Sequence, residues 1–528
     1  MNLFAPTAVD GYKTGHPEQY PGNSVTVCAN FTARGSRVAG LDKVIFIGLQ
    51  YFTKEYLVKN WNDTFFSQPK EVALKKYARL IKNYLGAVRE DSLARLGALH
   101  DLGYLPLEIY ALPEGSNVNL RVPMFQVFNT NPDILDTYLF YWITNNIETI
   151  VSTTVWLPCT SATTARMYRK NLNRWAMKTN PEMIDFVQFQ GHDFSYRGHG
   201  SNESAMTSGL GHALSFVGSD TFPVIQFAEE YYGADSDKEM VIVSVPATEH
   251  SVMCMGGVTD EVETFRRLIE DVYPSGIVSI VSDTWDFWNV LDPEDGICVK
   301  LYDKIMARDG KVVIRPDSGD PVKIVTGYTV DEIRVDADGD YFDIKTGKPL
   351  TSNEVKGMIA CLYEIFGGSE TSTGYIQLDS HIGAIYGDAI TLERQEQICG
   401  RLADKGFAST NIVFGIGSFT YQGAIDSNAI VTRDTHGFAM KSTYGELLVD
   451  GKIVGVEIFK DPKTDDGLKK SAKGLCAVYK TEAGDFELND QATWDDVRNC
   501  AYVQVFKNGI VTKDWTLAEI RAEVAKSL

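Results

Sequence analysis

The stretch Val312-Val313-Ile314-Arg315-Pro316-Asp317-Ser318-Gly319-Asp320-Pro321 decides the fold class. Three apolar, mostly β-branched residues predict a buried strand, which ends where Arg315 and Asp317 lead into a turn. In α/β proteins, ligand chemistry is placed at the C-terminal ends of strands. The stretch therefore predicts an α/β fold with a site at the end of this strand.

Three further apolar runs end in polar or glycine-rich turns in the same way. They are 241–245 before His250, 276–281 before Ser282-Asp283, and 411–414 before Gly415-Ile416-Gly417-Ser418. Strand candidates near 241, 276 and 311 are spaced by roughly 35 residues, which is typical of βα units. This series of strand ends predicts one rim that holds one site.

Length and charge limit the possible classes of protein. A chain of 528 residues is too long for one ordinary core, so at least two domains are expected. The 50 basic and 70 acidic residues leave a net charge of −20, which argues against nucleic-acid binding but permits phosphorylated small molecules bound with Mg²⁺. Eight scattered cysteines suggest neither zinc nor disulfides, and no signal-like start or long apolar run is present, so we expect a cytoplasmic protein.

We expect three segments along the chain. Residues 1–165 are predicted to form the N-terminal part of a mixed α+β domain, and residues 166–430 an irregular α/β barrel with a surface hairpin insertion at 328–350. Residues 431–528 predict an antiparallel segment that has too little core alone and packs with the N-terminal part. The predicted strands outside the barrel series are 24–31, 104–110, 120–128, 341–344, 383–386, 445–456, 475–480 and 502–511. The predicted helices are 71–85, 134–151 and 517–525.

Four residues near the predicted strand ends have both a functional and a structural interpretation. Phe194 could stack on a flat ring and Arg197 could contact a carbonyl or phosphate, or both could belong to an ordinary loop. Asp220 could accept hydrogen bonds from a ligand NH₂ group, or could cap a helix. His250 suits proton transfer or transient phosphoryl acceptance, or could be a packed histidine bonded to backbone.

The two acid-containing strand ends are also open to two interpretations. Asp283 or Asp286 could orient a base or a metal-bound water, or cap the next helix; Trp285 excludes the phosphate loop of the commoner phosphoribosyltransferases. Arg315 could clamp a phosphate or an amide oxygen while Asp317 holds ribose hydroxyls or Mg²⁺, or the two could form a structural ion pair.

Glycine-containing turns and a basic stretch complete the candidates. Gly387-Asp388 could grip a ribose diol, and Gly417-Ser418 could offer backbone N–H groups to a phosphate, although both could be plain turns. The island that contains Lys460 and Lys469-Lys470 could steer a polyphosphate, or be a solvated loop.

Taken in order, these motifs resemble the nicotinamide phosphoribosyltransferases of bacteria and their phages, over nearly the whole chain. The matching motifs are Asp10-Gly11-Tyr12-Lys13, His192-Asp193-Phe194-Ser195-Tyr196-Arg197-Gly198, Gly218-Ser219-Asp220-Thr221, Glu249-His250-Ser251, Val281-Ser282-Asp283, Ile314-Arg315-Pro316-Asp317-Ser318-Gly319, Tyr386-Gly387-Asp388, Thr432-Arg433-Asp434 and Phe459-Lys460-Asp461-Pro462. The resemblance implies the type II phosphoribosyltransferase fold and a homodimer with shared active sites. It also implies transfer of phosphoribosyl from phosphoribosyl pyrophosphate to nicotinamide with Mg²⁺, in NAD salvage, with ATP hydrolysed through a phosphohistidine.

The resemblance also implies roles for individual residues. The catalytic set is His250, which is phosphorylated, with Asp283, Arg315 and Asp317. The substrate-binding set is Tyr12 of the partner copy, Phe194, Arg197, Asp220, Ser282, Gly387, Asp388, Gly417 and Ser418. The pyrophosphate or ATP side is lined by Arg34, Arg433, Lys441 and Lys460, and no metal ligand is assigned.

The sequence departs from the family pattern at Ser418, where a glycine is expected, and in the long stretch 421–431. A nicotinate phosphoribosyltransferase of the same fold and a non-catalytic nucleotide-binding regulator remain alternatives. Asp220 argues against the first, because a carboxylate accepts from the carboxamide NH₂ and repels nicotinate. Arg315, Asp317 and His250 argue against the second.

Overall fold

The computed structural model describes residues 3–131, 140–426, 429–459 and 472–528. The chain forms two compact units. The first combines Met1–Thr163, Ile225–Glu239 and Thr432–Ser527, and the second combines Thr164–Val224 and Met240–Val431.

A seven-stranded antiparallel sheet organises the first unit, and its three N-terminal strands are flanked on both sides by strands from the C-terminal part of the chain. In spatial order its strands are Lys452–Glu457, Phe438–Val449, Ser24–Ala33, Pro123–Asn129, Leu107–Ala111, Val503–Lys507 and Ile510–Val511. The strand Ser24–Ala33 is buried along its whole length. Asp450 (φ 50°) and Gly451 (φ 73°) make a left-handed two-residue turn, which divides the predicted strand 445–456 into the two strands of the edge hairpin.

The main helices of this unit are Lys70–Leu85, Glu90–Leu102 and Leu517–Ala525. The predicted helix 134–151 is wrong in its bounds, and its start lies outside the described residues: the chain forms Ile143–Asn146 and then a helix over Glu148–Thr179 that accommodates Pro158. The segment Ile225–Glu239 lies in this unit, although the sequence placed it within 166–430. The reason is aromatic packing, since the rings of Phe227 and Tyr231 lie 4.8 and 4.7 Å from that of Tyr51.

A curled parallel sheet organises the second unit. Its six strands, in spatial order, are Gly218–Ser219, Gly191–Asp193, Ile412–Ile416, Ile382–Tyr386, Asp309–Arg315 and Ser275–Val281. The segment 243–247 links the two outer strands, because Val243 bridges to Gly218 and Ala247 bridges to Ser279. The sheet thereby closes into an irregular barrel, and the predicted fold class is confirmed.

Two features of the barrel differ from the prediction. The predicted strand at 241–245 is replaced by a segment with single bridges at Val243 and Ala247. Pro246 has no N–H to donate to a ladder, which limits this segment to isolated bridges. The strands Gly191–Asp193 and Gly218–Ser219 have three and two residues, and such short strands leave no alternating pattern in the sequence.

Helices follow the barrel strands and cover them with apolar side chains. The helices of four or more residues are Val187–Gln190, Asn202–Ala213, His250–Gly256, Glu261–Arg267, Phe287–Val290, Ile297–Lys300, Tyr302–Met306, Pro321–Thr326, Ser352–Lys356, Met358–Phe366 and Leu392–Asp404. The strand residues Val278, Ile280, Val312 and Ile314 lie in the core beneath them. In the described part of the chain, none of the helices has both the length and the apolar composition that a membrane span requires.

The insertion, which the sequence predicts as a hairpin, forms a separate three-stranded sheet. Its strands are Ile333–Val335, Tyr341–Asp343 and Pro349–Leu350. The buried carboxylate of Asp343 pairs with Lys323 Nζ at 2.7 Å, on the helix Pro321–Thr326. This ion pair fixes the insertion to the helix that follows Asp317.

Candidate active site at the C-terminal rim of the barrel

The barrel strands end at the same edge, and the predicted site residues of the second unit lie there. The residues at or just after these strand ends are Phe194 and Arg197, Asp220, Ser282 and Asp283, Arg315 and Asp317, Gly387 and Asp388, and Gly417 and Ser418. Parallel strands place their C-terminal ends together, so six separate segments meet at one rim. His250 begins the helix His250–Gly256 and reaches the same rim.

One cluster at this rim joins a histidine to two carboxylates. His250 Nε2 lies 3.1 Å from Asp283 Oδ1 and 3.8 Å from Asp317 Oδ1. Asp283 Oδ2 accepts three hydrogen bonds, from the N–H of Asp317 (3.0 Å), the N–H of Ser318 (2.9 Å) and the Ser318 hydroxyl (2.6 Å). Both carboxylate oxygens of Asp283 therefore have partners among the neighbouring residues, and its side chain is only 4% exposed.

The two carboxylates of this cluster titrate in opposite directions. Burial raises the pKa of Asp283, but hydrogen bonds from Ser318, the Asp317 N–H and His250 outweigh burial and hold the pKa below its ordinary value. Burial and then the neighbouring Asp283 charge raise the pKa of Asp317. Asp283 is therefore the fixed anion of the cluster, whereas added positive charge would stabilise the ionised form of Asp317.

This arrangement also orients the imidazole ring of His250. Its Nε2 faces two carboxylates, so Nε2 carries the proton and donates it to Asp283. Nδ1 then keeps its lone pair, the state that a nucleophilic histidine requires. One possible ligand atom from each of His250, Asp283 and Asp317 lies within 4.8 Å of the others, and the two carboxylates could hold a cation while Nε2 keeps its proton.

A second cluster surrounds Asp220. Asp220 Oδ1 accepts hydrogen bonds from the Ser244 hydroxyl at 2.7 Å and from His192 Nε2 at 2.9 Å. Burial raises the pKa of Asp220, but His192, Ser244 and the charge of Arg315 outweigh it, so the pKa lies below its ordinary value. The rim thus presents a fixed negative charge whose two described donors both use Oδ1, which leaves Oδ2 for a ligand.

Arg315 stands between the two clusters. Its Nη2 donates to the carbonyl oxygen of Thr248, and its buried Nε has no partner among the described residues. Burial lowers the pKa of Arg315, while Asp317, Asp220 and Asp283 oppose the effect. An unpartnered guanidinium N–H is costly, so this side chain is suited to donate to a ligand.

Two glycines at the rim allow close packing, one against Phe194 and one against Ser418. A Cβ on Gly415 would lie 2.6 Å from Phe194 Cδ2 and 2.8 Å from the Cα of Gly387. A Cβ on Gly198 would lie 2.1 Å from the side chain of Ser418. Glycine at these positions lets the turns approach closely, and the Ser418 side chain is used in that packing; its phosphate contact stays a prediction.

An apolar cavity of about 520 Å³ lies inside the barrel, and its upper end reaches the rim. At the rim it is lined by Phe194, Asp220 and Arg315, and further along by buried residues such as Ala384 and Ile385. A second, wider pocket of about 580 Å³ at the mouth shares Phe194 and Asp220 and adds Arg197. A mostly apolar cavity with a few polar groups at one end is typical of a site for a small organic ligand.

The remaining predicted residues belong to the first unit. Tyr12 is 63% exposed, with its ring 5.4 Å from that of His16. Lys441 Nζ lies 3.3 Å from Glu148 Oε1, Arg34 Nε donates to the Gly437 carbonyl at 3.2 Å, and Arg433 pairs with Asp434 at 3.0 Å. Lys460 lies outside the described residues.

Three rim residues contribute to these clusters without having been assigned a role from the sequence. They are His192, Ser244 and Ser318. Ser318 lies inside the opening stretch, and His192 stands two residues before Phe194, so both were within the quoted motifs. Ser244 begins the stretch Ser244-Val245-Pro246-Ala247, which leads to His250 and also resembles the family, but no role was predicted for it.

Comparison with known proteins gives consistent matches. The profile of the nicotinate phosphoribosyltransferase (NAPRTase) family matches residues 189–507, and that of the nicotinamide phosphoribosyltransferase N-terminal domain matches residues 5–84. The chain is 47% identical to a nicotinamide phosphoribosyltransferase of Acinetobacter baylyi, over 99% of this chain and 97% of that protein. It is 29% identical to one of Xanthomonas campestris pv. campestris, over 97% and 96%.

The fold has a match among solved structures. The crystal structure of nicotinate-nucleotide pyrophosphorylase from Pyrococcus furiosus superposes with a TM-score of 0.55 at 14% identity, and the match covers 99% of this chain and 95% of that one. At this identity the likeness shows the fold alone.

Proposed function

The chain belongs to the nicotinamide phosphoribosyltransferase family, an enzyme family of NAD salvage, and from that premise we propose what each rim residue contributes to the reaction. The proposed reaction transfers phosphoribosyl from phosphoribosyl pyrophosphate to nicotinamide, and gives nicotinamide mononucleotide and pyrophosphate. The observation that carries the choice of nicotinamide is the ionised Asp220, held at the cavity entrance by His192 and Ser244.

The slot for nicotinamide follows from three side chains. Phe194 offers a ring face at the cavity entrance, Asp220 Oδ2 accepts from the carboxamide NH₂, and Arg315 donates to the carboxamide oxygen. Nicotinate would place a second carboxylate against Asp220. Two unit charges 4 Å apart repel by about 4 kcal/mol at the effective dielectric constant of a protein surface, or about a thousandfold in binding.

The chemical step needs positioning and charge stabilisation. The pyridine nitrogen lone pair forms the bond to C1′ while the bond from C1′ to the pyrophosphate oxygen breaks, and pyrophosphate leaves with the electron pair. The ring nitrogen has no proton to lose, so no general base is required. Asp317, Gly387 and Asp388 are proposed to hold the ribose, and Gly417 with Ser418 the 5′-phosphate, while Arg197 assists at the mouth.

Mg²⁺ fits the donor set of this rim. Asp317 is partly exposed and gains from added positive charge, and carboxylate oxygens are the ligands that Mg²⁺ prefers. Asp317 would hold the ion, with Asp283 behind it, and the bound ion would neutralise charge on the leaving pyrophosphate.

We further propose that ATP phosphorylates His250. Nδ1 of His250 would attack the γ-phosphate of ATP, form a nitrogen–phosphorus bond and release ADP, and water would later hydrolyse the phosphohistidine. The support is the ring orientation described above, in which the Nε2–H group donates a hydrogen bond to Asp283 and Nδ1 keeps its lone pair. In a proposed homodimer, the partner copy would add Tyr12 to the nicotinamide slot and Arg34, Arg433, Lys441 and Lys460 to the phosphate side.

The test is a two-substrate assay with phosphoribosyl pyrophosphate, Mg²⁺ and either nicotinamide or nicotinate, with and without ATP. We expect the wild type to use nicotinamide and to discriminate strongly against nicotinate, and Asp220→Asn to lose most of that discrimination. Asp404→Asn, at the exposed end of the helix Leu392–Asp404, is the matched control. Turnover of nicotinate alone would establish the nicotinate enzyme, and binding without turnover would establish a regulator.

A further inference from the structure

Asp193 is a buried carboxylate that joins two turns of the rim. It ends the strand Gly191–Asp193, and none of its surface is exposed. Its Oδ1 accepts from the N–H of Ser195 at 2.8 Å, and its Oδ2 accepts from the hydroxyl of Thr221 at 2.7 Å. One carboxylate therefore spans the turn after its own strand and the turn after the neighbouring strand Gly218–Ser219.

The backbone reinforces this connection between the turns. The N–H of Asp220 donates to the carbonyl oxygen of Asp193 at 2.9 Å, and the N–H of Thr221 donates to the Ser219 hydroxyl at 3.0 Å. The first turn carries Phe194 and the second carries Asp220. Asp193 thus connects the group that stacks on the pyridine ring to the group that accepts from its amide.

The two donors to the Asp193 side chain are a backbone N–H group and a hydroxyl group. The carboxylate offers two acceptor oxygens in one plane, which suits two donors that belong to different turns. We infer that the positions of its two acceptor oxygens, and not its negative charge, hold the two turns together.

We propose that Asp193 is a positioning residue that sets the separation of Phe194 and Asp220, and thereby the fit of nicotinamide. This inference rests on the proposed roles of those two residues in binding nicotinamide. If the connection is loosened, nicotinamide can stack on Phe194 or can donate its amide hydrogen to Asp220, but it cannot do both at once. Small displacements of this kind lower the reaction rate by large factors. Phosphoribosyl pyrophosphate is proposed to bind at other strand ends, so its binding should not change.

Thr221→Val provides the direct test, because it removes one hydroxyl donor and keeps the side-chain shape. The change leaves a buried acceptor oxygen of Asp193 without its donor, so it should raise the KM for nicotinamide about tenfold, with little change in the KM for phosphoribosyl pyrophosphate. Discrimination against nicotinate should fall in parallel. Thr207→Val is the matched control, because the Thr207 hydroxyl is also buried but bonds the carbonyl of Glu203 within its own helix.

Asp193→Asn separates geometry from charge. The amide oxygen can still accept from Ser195, and the amide NH₂ can donate to the Thr221 hydroxyl, so this variant should keep a KM for nicotinamide near that of the wild type. Asp193→Ala should raise it at least as much as Thr221→Val. The proposal is overturned if the KM values of Thr221→Val for nicotinamide and for phosphoribosyl pyrophosphate are both unchanged or rise together. It is also overturned if Asp193→Asn raises the KM for nicotinamide as much as Asp193→Ala does.

These outcomes are distinct from a failure of the proposed function. If the wild type does not use nicotinamide, the proposed function fails and the positioning role fails with it. If the wild type uses nicotinamide and Thr221→Val behaves like Thr207→Val, the function stands and only the positioning role is rejected.

Discussion

Replacement of Asp283 by asparagine should uncouple ATP from the reaction, although it exchanges only one oxygen for an NH₂ group. Asp283 Oδ2 accepts from two backbone N–H groups and one hydroxyl, while Oδ1 faces His250 Nε2. The asparagine oxygen must take the position of Oδ2, because an NH₂ group there would meet N–H donors. The NH₂ group then faces Nε2, so the imidazole proton moves to Nδ1, and the lone pair that would accept phosphate is lost.

The magnitude follows from comparable exchanges. A histidine held in the wrong tautomer by an Asp→Asn change costs a serine protease about 10⁴ in kcat, so we expect a loss of about 10²- to 10⁴-fold in phosphohistidine formation. Hydrogen bonds to a charged acceptor contribute about 1.5–3 kcal/mol and neutral ones about 1, so three weakened bonds lower the free energy of unfolding by a few kcal/mol. Relief of the repulsion between Asp283 and Asp317 offsets part of this loss.

Two measurements on the folded variant separate the effects. ADP release and acid-labile phosphate on the protein report the histidine step, and nicotinamide mononucleotide formed without ATP reports the transfer step. We expect the first to collapse and the second to persist at high concentrations of phosphoribosyl pyrophosphate. Urea unfolding measures the stability loss.

Asp320→Asn is the control in the same loop. Asp320 caps the helix Pro321–Thr326 through the N–H of Val322 at 3.0 Å, and asparagine caps a helix equally well. The control should therefore keep both activities. Phosphohistidine formation at the wild-type rate in Asp283→Asn would refute the tautomer argument.

Three further predictions concern other parts of the chain. Burial raises the pKa of Glu114 from 4.5 to about 7, so the folded state binds the proton more tightly than the unfolded state. The free energy of unfolding should therefore fall by roughly 3 kcal/mol as the pH rises from 4.5 to about 7. Urea titrations of Glu114→Gln should not show this dependence on pH, and an unchanged dependence would contradict the prediction. Gly415→Ala should displace both the Phe194 ring and the backbone of Gly387, so steady-state assays should show a higher KM for nicotinamide, by about tenfold or more, and a higher KM for phosphoribosyl pyrophosphate as well; unchanged KM values would contradict this packing. Asp343→Ala removes the carboxylate that pairs with Lys323 and accepts from the N–H groups of Lys345 and Thr346, so it should lower the urea midpoint more than Lys348→Ala, which breaks a more exposed pair; equal midpoints would contradict this.

The long barrel strands were predictable because their physics is local. The strands Ser275–Val281, Asp309–Arg315 and Ile382–Tyr386 are runs of apolar residues followed by turn residues, and each lies close to the predicted position. The rule that parallel strands end at one edge then predicted the rim without knowledge of any contact. Sequence periodicity and one topological rule were sufficient for this part of the fold.

The rest of the rim depends on contacts between distant segments. The strand Gly218–Ser219 exists because His192 and Val243 lie on either side of it, and two residues carry no periodic signal. The hydrogen bonds that hold Asp220 come from positions 28 residues before it and 24 residues after it, and no local pattern records such pairs. The opposite pKa shifts of Asp283 and Asp317 likewise follow from burial and from neighbours at 3–4 Å.

The charge of the rim itself argues for its proposed partners. The candidate rim residues include four carboxylates, Asp220, Asp283, Asp317 and Asp388, but two guanidinium groups, Arg197 and Arg315. A polyphosphate substrate would be repelled by such a rim in a chain whose net charge is −20. Binding therefore requires added positive charge, which Mg²⁺ at Asp317 and basic side chains of a second copy are proposed to supply. On this argument, affinity for phosphoribosyl pyrophosphate should fall steeply when Mg²⁺ is removed, whereas affinity for the neutral nicotinamide should not.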